Sequence, residues 1–292
     1  MQNSRGILYI LGSMAAFTCE DTLLKVISAD VPVGQILIGL GFIGAAVFLG
    51  LTLRKGHRIF VASYWTPLLI LRALSEGAVA VTFVTALALV DLSTVAAVFQ
   101  TTPLATTLGA ALFLGEKVGW RRWTAILVGF SGVLFIVRPG ASEFDPATLL
   151  VLATVVLIAF RDLVTRSVNV AVPSTLIGFQ AFAAVVPAGV LLTGFAQTPL
   201  VVLDVSSVVL LSIASTVSVV GYFLLVTALR VAETAVIMPF RYTRLVFSII
   251  AGMVVFAERP DLPMLIGSAL IISAGLYTFM RERQLARAGS AA

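Results

Sequence analysis

Glu20 and Asp21 are adjacent acids inside an otherwise apolar run, and Lys25 follows Asp21 by four residues. Arg72 and Glu76 repeat the four-residue step, and Asp162 and Arg166 repeat it again with Arg161 just ahead. Arg241 and Arg244 stand three apart around Tyr242, shortly after Pro239. A charge at the centre of a membrane-crossing helix costs about 2.5–3.5 kcal/mol on insertion scales, so such groups face a watered cavity or pair with one another. Residues three or four apart share a helix face, so the mixed signs can nearly cancel. Arg241 and Arg244 are different: they repel, and no acid in their own span compensates them. They require carboxylates from another span or an anionic group on a ligand. This set suits holding a polar solute inside a membrane.

Further polar groups lie in apolar stretches. Gln100, Gln180 and Tyr222 can bind a solute or a neighbouring helix. Phe99, Phe240 and Tyr242 offer flat faces to a ring. Pro103, Pro187 and Pro239 can kink helices and free backbone carbonyls. Gly41 with Ala45, and Gly132 and Gly275, are expected to permit close helix packing. The candidate substrate-binding set is therefore Glu20, Asp21, Arg72, Glu76, Phe99, Gln100, Arg161, Asp162, Phe240, Arg241, Tyr242 and Arg244, around a cavity lined by spans one, three, six and nine.

Other chemistries lack their residues. Cys19 is the single cysteine and His57 the single histidine, which excludes an internal disulfide and Cys-rich metal sites. No H-E-x-x-H and no G-x-x-x-x-G-K-[ST] occurs, so neither a zinc hydrolase nor an ATP motor is expected. No metal, cofactor or catalytic constellation is expected, and the chain is not read as an enzyme. A scaffold or lipid-handling role is the rival outside transport.

The elements that must position these residues are helices in lipid. The chain is 60% hydrophobic and only 11% charged, with mean hydropathy +1.09. A soluble fold carries about 25% charged residues, and none could hide this much apolar surface. A net charge of +5 reads as membrane orientation rather than nucleic-acid binding, for which no motif is present. Runs of about 20 apolar residues cross the hydrocarbon as helices. They predict spans at about 6–27, 33–53, 66–89, 92–114, 121–137, 146–166, 172–194, 205–228, 232–257 and 263–280. The first run shows no cleavage site after its acids, so it is read as a span rather than a leader.

Basic residues are unequally shared between the faces. Arg5, Arg54, Lys55, Arg58, Lys117, Arg121, Arg122, Arg166, Arg230, Arg281, Arg283 and Arg287 fall on one side; Arg138, Arg259 and Lys25 fall on the other. The rich side is cytoplasmic, which places both termini in the cytoplasm of a bacterial inner-membrane protein.

The chain repeats itself. Thr85-Ala86-Leu87 returns as Thr227-Ala228-Leu229, and Leu114-Gly115-Glu116-Lys117 as Phe256-Ala257-Glu258-Arg259, both displaced by 142. Asp91 then falls on Glu233. Asp21 with Lys25 matches Asp162 with Arg166 at 141, placing Glu20 on Arg161, and Gly132 matches Gly275 at 143. Each half, 1–140 and 141–292, holds five spans. Five is odd, so the second half enters the membrane from the opposite face. The fold class expected is all-α integral membrane, with ten transmembrane helices in two inverted five-helix repeats. Secondary transporters share this plan, with the solute near the midplane and alternating access between the faces. Glu20, Asp21, Glu76 or Asp162 could couple protons to that cycle; facilitated diffusion needs none of them.

Over about 5–280 the sequence resembles the EamA-type branch of the drug/metabolite transporter superfamily. The paired Glu116-Lys117 and Glu258-Arg259 turns carry the likeness, with Val128-Gly129-Phe130-Ser131-Gly132 and the Gly267–Gly275 stretch. Within that branch, Arg5-Gly6-Ile7-Leu8, Glu20-Asp21, Val33-Gly34-Gln35-Ile36-Leu37 and Thr85-Ala86-Leu87-Ala88-Leu89 are similar to proteobacterial riboflavin importers. So are Gln100-Thr101-Thr102-Pro103-Leu104 and Gly119-Trp120-Arg121-Arg122-Trp123. The resemblance implies a ten-helix transporter of a small-molecule substrate, with the lipid bilayer as its other partner. Riboflavin uptake comes first, ahead of export of amino acids or related metabolites. The oligomeric state is left open.

Overall fold

The computed structural model describes residues 2–116, 119–141, 144–168, 172–232 and 234–289. Lys117 and Glu233 lie outside them, as do the side chains of Arg283 and Arg287. The described residues form helices and no strands: α1 (Gln2–Ile27), α2 (Val33–Arg54), α3 (Pro67–Leu89), α4 (Leu92–Phe99), α5 (Thr102–Phe113), α6 (Trp120–Val137), α7 (Thr148–Arg166), α8 (Ser174–Ala196), α9 (Val205–Val231), α10 (Thr234–Ile237), α11 (Thr243–Phe256) and α12 (Leu262–Gly289). Short 3-10 turns occupy Ala62–Tyr64 and Met238–Tyr242. Ten spans are long and apolar enough to cross a membrane, the fourth running through α4 and α5 as Leu92–Phe113 and the ninth as Met238–Phe256. Large side chains such as Phe42, Leu127, Phe223 and Val254 stand exposed on them, as expected where lipid rather than water is the surrounding solvent.

Two spans are broken. Pro103 has no N–H to give the carbonyl of Phe99. The Thr102 hydroxyl donates to that carbonyl instead, at 2.6 Å, and the chain passes from α4 to α5 through Gln100 and Thr101. In the ninth span Pro239 sits in the 3-10 turn that precedes α11. The breaks correspond at a displacement of 142. The Thr101 hydroxyl donates to the carbonyl of Val98, and the Thr243 hydroxyl to that of Phe240, both at 2.6 Å. The expected ninth span at 232–257 therefore holds a short α10, a 3-10 turn and α11 in place of one helix.

The turns that end these spans also repeat. Gly115 has φ +67° and Ala257 has φ +53°. The N–H of Glu116 donates to the carbonyl of Ala110, and that of Glu258 to Gly252. Both are helix ends closed by a left-handed residue. Alanine holds that conformation less readily than glycine. After its turn, Glu258 reaches α4 and accepts from the backbone N–H groups of Leu92 (2.6 Å) and Ser93 (3.0 Å) and from the Ser93 hydroxyl (2.7 Å). It satisfies donors that a helix start leaves open.

The chain divides into two compact units, 1–22 with 90–148 and 217–292, and 23–89 with 149–216. Each unit draws on both sequence halves. In the first, α4 packs on α11 and α6 on α12, so each span lies against the one five places later. In the second, α2 packs on α8 in the same relation, and α3 also packs on α8. Glycine permits that α2–α8 contact: a Cβ on Gly34 would meet the Gly189 carbonyl at 2.8 Å, and one on Gly189 would meet that of Gly34 at 2.7 Å. Gly132 and Gly267 permit the same approach between α6 and α12. The packing role expected of Gly41 and Gly132 matches these neighbourhoods. Gln180, one of the open cases, donates to the Tyr64 carbonyl at 2.7 Å and braces the loop before α3.

Two carboxylates outside the spans fix helix starts. Asp204 caps α9 by accepting from the Ser206 hydroxyl and the Ser207 N–H. Those bonds, the Ser206 hydroxyl foremost, hold its carboxyl down at about 2. Asp261 precedes α12, accepts from the Met264 N–H and pairs with Arg138. Burial pulls its carboxyl upward, but the bonds from Arg138 and Met264 outweigh this and leave it below the usual range.

Candidate functional site

In the first compact unit the polar residues of α1 meet the ninth span. Asp21 is 5% exposed and accepts from Arg244 Nη2 at 2.7 Å. Arg244 lies on the first turn of α11, just past the break, so its stem leaves a place where the backbone already departs from regular helix. The guanidinium carbon sits 4.9 Å from the ring centre of Phe99 and 5.4 Å from that of Phe17, within the range where a ring face attracts a cation. Glu20 is hydrogen-bonded by Ser218 of α9 and feels the charges of Asp21 and Arg244. Around this core, the Thr18 hydroxyl lies 3.4 Å from that of Ser248, and the Ser13 hydroxyl donates to the Gly221 carbonyl at 2.8 Å. Gln100 donates to the backbone carbonyl of Arg241 at 3.2 Å.

The other expected residues of this unit lie at its border. Arg241 is exposed, and its Nη1 is 3.8 Å from the Met238 sulfur. Phe240 packs on the apolar cluster of Ile10, Met14, Ala228 and Ile237. The Tyr242 hydroxyl is directed at Gly275 of α12, where a side chain would block it. The expectation that the two ninth-span arginines need a carboxylate from elsewhere is met for Arg244 by Asp21.

The second compact unit holds Arg72, Glu76, Arg161 and Asp162. Arg161 Nη1 contacts both Glu76 oxygens, at 3.0 and 3.2 Å, and Nη2 contacts Asp162 at 2.8 Å. Arg72 lies 3.9 Å from Glu76 within α3. Two cations and two carboxylates give this cluster a formal charge of zero. Thr154 donates to Thr82 at 2.8 Å and joins the same two helices, α7 and α3. Lys25 donates to the Leu87 carbonyl at 2.9 Å.

Phe17, Ser218 and Thr18 were not among the expected residues. Phe17 precedes Asp21 by four and shares its face, a signal present in the sequence but masked by the many other aromatics in apolar runs. Ser218 and Thr18 look like ordinary small residues of membrane helices. Among the described residues no group of three or more His, Cys, Asp or Glu side chains could hold a metal ion.

The arrangement is a buried Asp21 beside a half-buried Glu20, a guanidinium and two ring faces between membrane spans, and comparisons with known proteins agree with a solute-handling role. Residues 4–138 match the EamA-like transporter family. The S-adenosylmethionine uptake transporter of Rickettsia bellii is 26% identical over 282 residues, covering 96% of this chain and 95% of that protein. The riboflavin transporter of Rhizobium johnstonii is 30% identical over 207 residues, covering 70% of this chain and 67% of that protein. One crystal structure matches 97% of this chain and 99% of its own with a TM-score of 0.63 at 18% identity, a likeness of fold alone. The chain is a multi-pass membrane protein and belongs to the EamA-like transporter family.

Proposed function

We propose that this chain is a secondary transporter of the bacterial inner membrane that takes up a metabolite built on a planar nitrogen heterocycle. The site is the cluster around Glu20, Asp21, Phe99, Gln100 and Arg244, with Arg241 at its border. The neutral Arg72–Glu76–Arg161–Asp162 cluster forms a second polar station for the solute. Access alternates between the faces, with both termini cytoplasmic, and the halves 1–140 and 141–292 act as the inverted repeats of that cycle.

The observation that carries this reading is the placement of Arg244. It is held by Asp21 at 2.7 Å while its guanidinium lies against two phenylalanine faces. Rings placed so can stack on a heterocycle, and the flanking carboxylates and amide can bind hydroxyl or amino groups on its side chain. S-adenosylmethionine and riboflavin both pair a flat heterocycle with a hydroxylated sugar or sugar-like chain. S-adenosylmethionine comes first because relatives named for its uptake align over nearly the whole of this chain; riboflavin, the expectation from sequence, comes second.

Uptake of each labelled compound into bacteria expressing the chain tests this, with Phe99→Ala as control. Saturable uptake of either compound, lost in a membrane-inserted variant, is the expected result. Absence of both uptakes, with protein present in the membrane, overturns it.

A further inference from the structure

The first cluster is built around one guanidinium. At its centre two acids, Glu20 and Asp21, meet one guanidinium, that of Arg244, with Arg241 at the border. Asp21 has the guanidinium; the hydrogen-bond partner of Glu20 is the neutral hydroxyl of Ser218. The cluster of the second unit, with Arg72 and Arg161 against Glu76 and Asp162, sums to zero. Ionisable groups inside membrane spans are costly and mark sites that meet a charge from outside.

The shape of the cluster says which charge. Two aromatic faces and a carboxylate converging on one point recognise a cation. Here that point is filled by part of the protein itself, the Arg244 guanidinium, 4.9 Å from the Phe99 ring centre, 5.4 Å from that of Phe17 and 2.7 Å from Asp21. Arg244 is on the first turn of α11, next to the 3-10 turn holding Pro239. A long, jointed side chain at a helix start can leave its partners without unwinding the helix that carries it.

Resting on the transporter reading, we propose that the substrate of this site is an organic cation and that Arg244 is its tethered stand-in. In the empty protein the guanidinium occupies the two rings and Asp21. The cationic group of the substrate takes those partners over with Glu20 alongside, and Arg244 swings away. The exchange leaves no ring face or carboxylate exposed to the apolar interior at any stage. It makes the site selective for charge, because a neutral ring gains nothing by displacing the guanidinium. Arg244 is a competitor built into the chain, and its removal strengthens binding of the true ligand.

The test uses the purified full chain in nanodiscs, with S-adenosylmethionine and S-adenosylhomocysteine as probes. These differ by one methyl group and the sulfonium charge it creates. The wild-type protein is expected to bind the sulfonium at least tenfold tighter than the thioether. Arg244→Gln is expected to tighten sulfonium binding at least fivefold and to change thioether binding less than twofold. Glu20→Gln is expected to weaken sulfonium binding selectively, and it serves if Arg244→Gln does not fold. Equal affinity for the two probes, weaker sulfonium binding in a folded Arg244→Gln protein, or no binding of either probe overturns the inference. Riboflavin uptake in cells, measured separately, decides whether the transporter reading survives such a failure.

Discussion

The side-chain amide of Gln100 donates to the backbone carbonyl of Arg241 at 3.2 Å, and the two residues are 141 positions apart. That is one short of the displacement of 142 at which the two breaks correspond. The bond joins the break in the fourth span to the break in the ninth, where a missing proline N–H has loosened each helix. Helix breaks at matching points of two repeats are where secondary transporters place their solute.

Gln100→Leu removes this tie while keeping the bulk. Interhelical hydrogen bonds in membranes contribute about 0.6 kcal/mol on average, so thermal stability in detergent changes little. Uptake is expected to fall severalfold. Unchanged uptake in the variant would show that the two breaks work independently.

Asp21→Asn leaves the Arg244 guanidinium without its carboxylate partner. Removing one member of a buried pair costs about 3–5 kcal/mol, and unfolding in denaturant should report a loss of that order together with loss of uptake. The double exchange Asp21→Arg with Arg244→Asp returns opposite charges to the pair but moves the cation off the phenylalanine faces. It is expected to recover part of the stability and none of the transport.

Glu258→Ala strips acceptors from the start of α4, where Leu92, Ser93 and the Ser93 hydroxyl all donate to it. Loss of a helix cap costs about 1 kcal/mol. Hydrogen exchange should rise at residues 92–95 before it rises elsewhere. Glu258→Gln, which keeps an acceptor oxygen, should lie between the two proteins.

Asp204 supplies a pH test. Its carboxyl is held down at about 2 in the folded protein, chiefly by the Ser206 hydroxyl, against an ordinary 3.8. Its contribution is therefore complete above about pH 4 and lost as pH falls through about 2. Infrared titration of labelled aspartate should find a midpoint near 2, and Ser206→Ala should move it upward. A wild-type midpoint at the ordinary value would remove the cap.

Much of this is legible in the sequence. The spans follow from run length, since only helices satisfy their own backbone in lipid; the second, expected at 33–53, is Val33–Arg54. The repeat was visible in Glu116 and Glu258, whose turns prove to close alike. Pro103 and Pro239 marked the breaks in the fourth and ninth spans, whereas Pro187, singled out on the same ground, lies within a continuous α8. Asp21 was expected to share a face with Lys25, yet its guanidinium partner comes from α11, 223 residues away. Spacing rules reach one helix turn and say nothing of a neighbour across the bundle. Phe17, four residues before Asp21 on the same face, stayed hidden among the many other aromatic rings in apolar runs.

The left-handed turns at Gly115 and Ala257 have a consequence for how variants of this protein are interpreted. Because the same turn is built twice, and on the inverted-repeat reading proposed above its copies face opposite membrane surfaces, each position carries its own control about 142 residues along the chain. A change that harms both copies equally reports on folding. A change that harms one copy alone reports on a particular face of the membrane, and so on the direction in which the cargo travels.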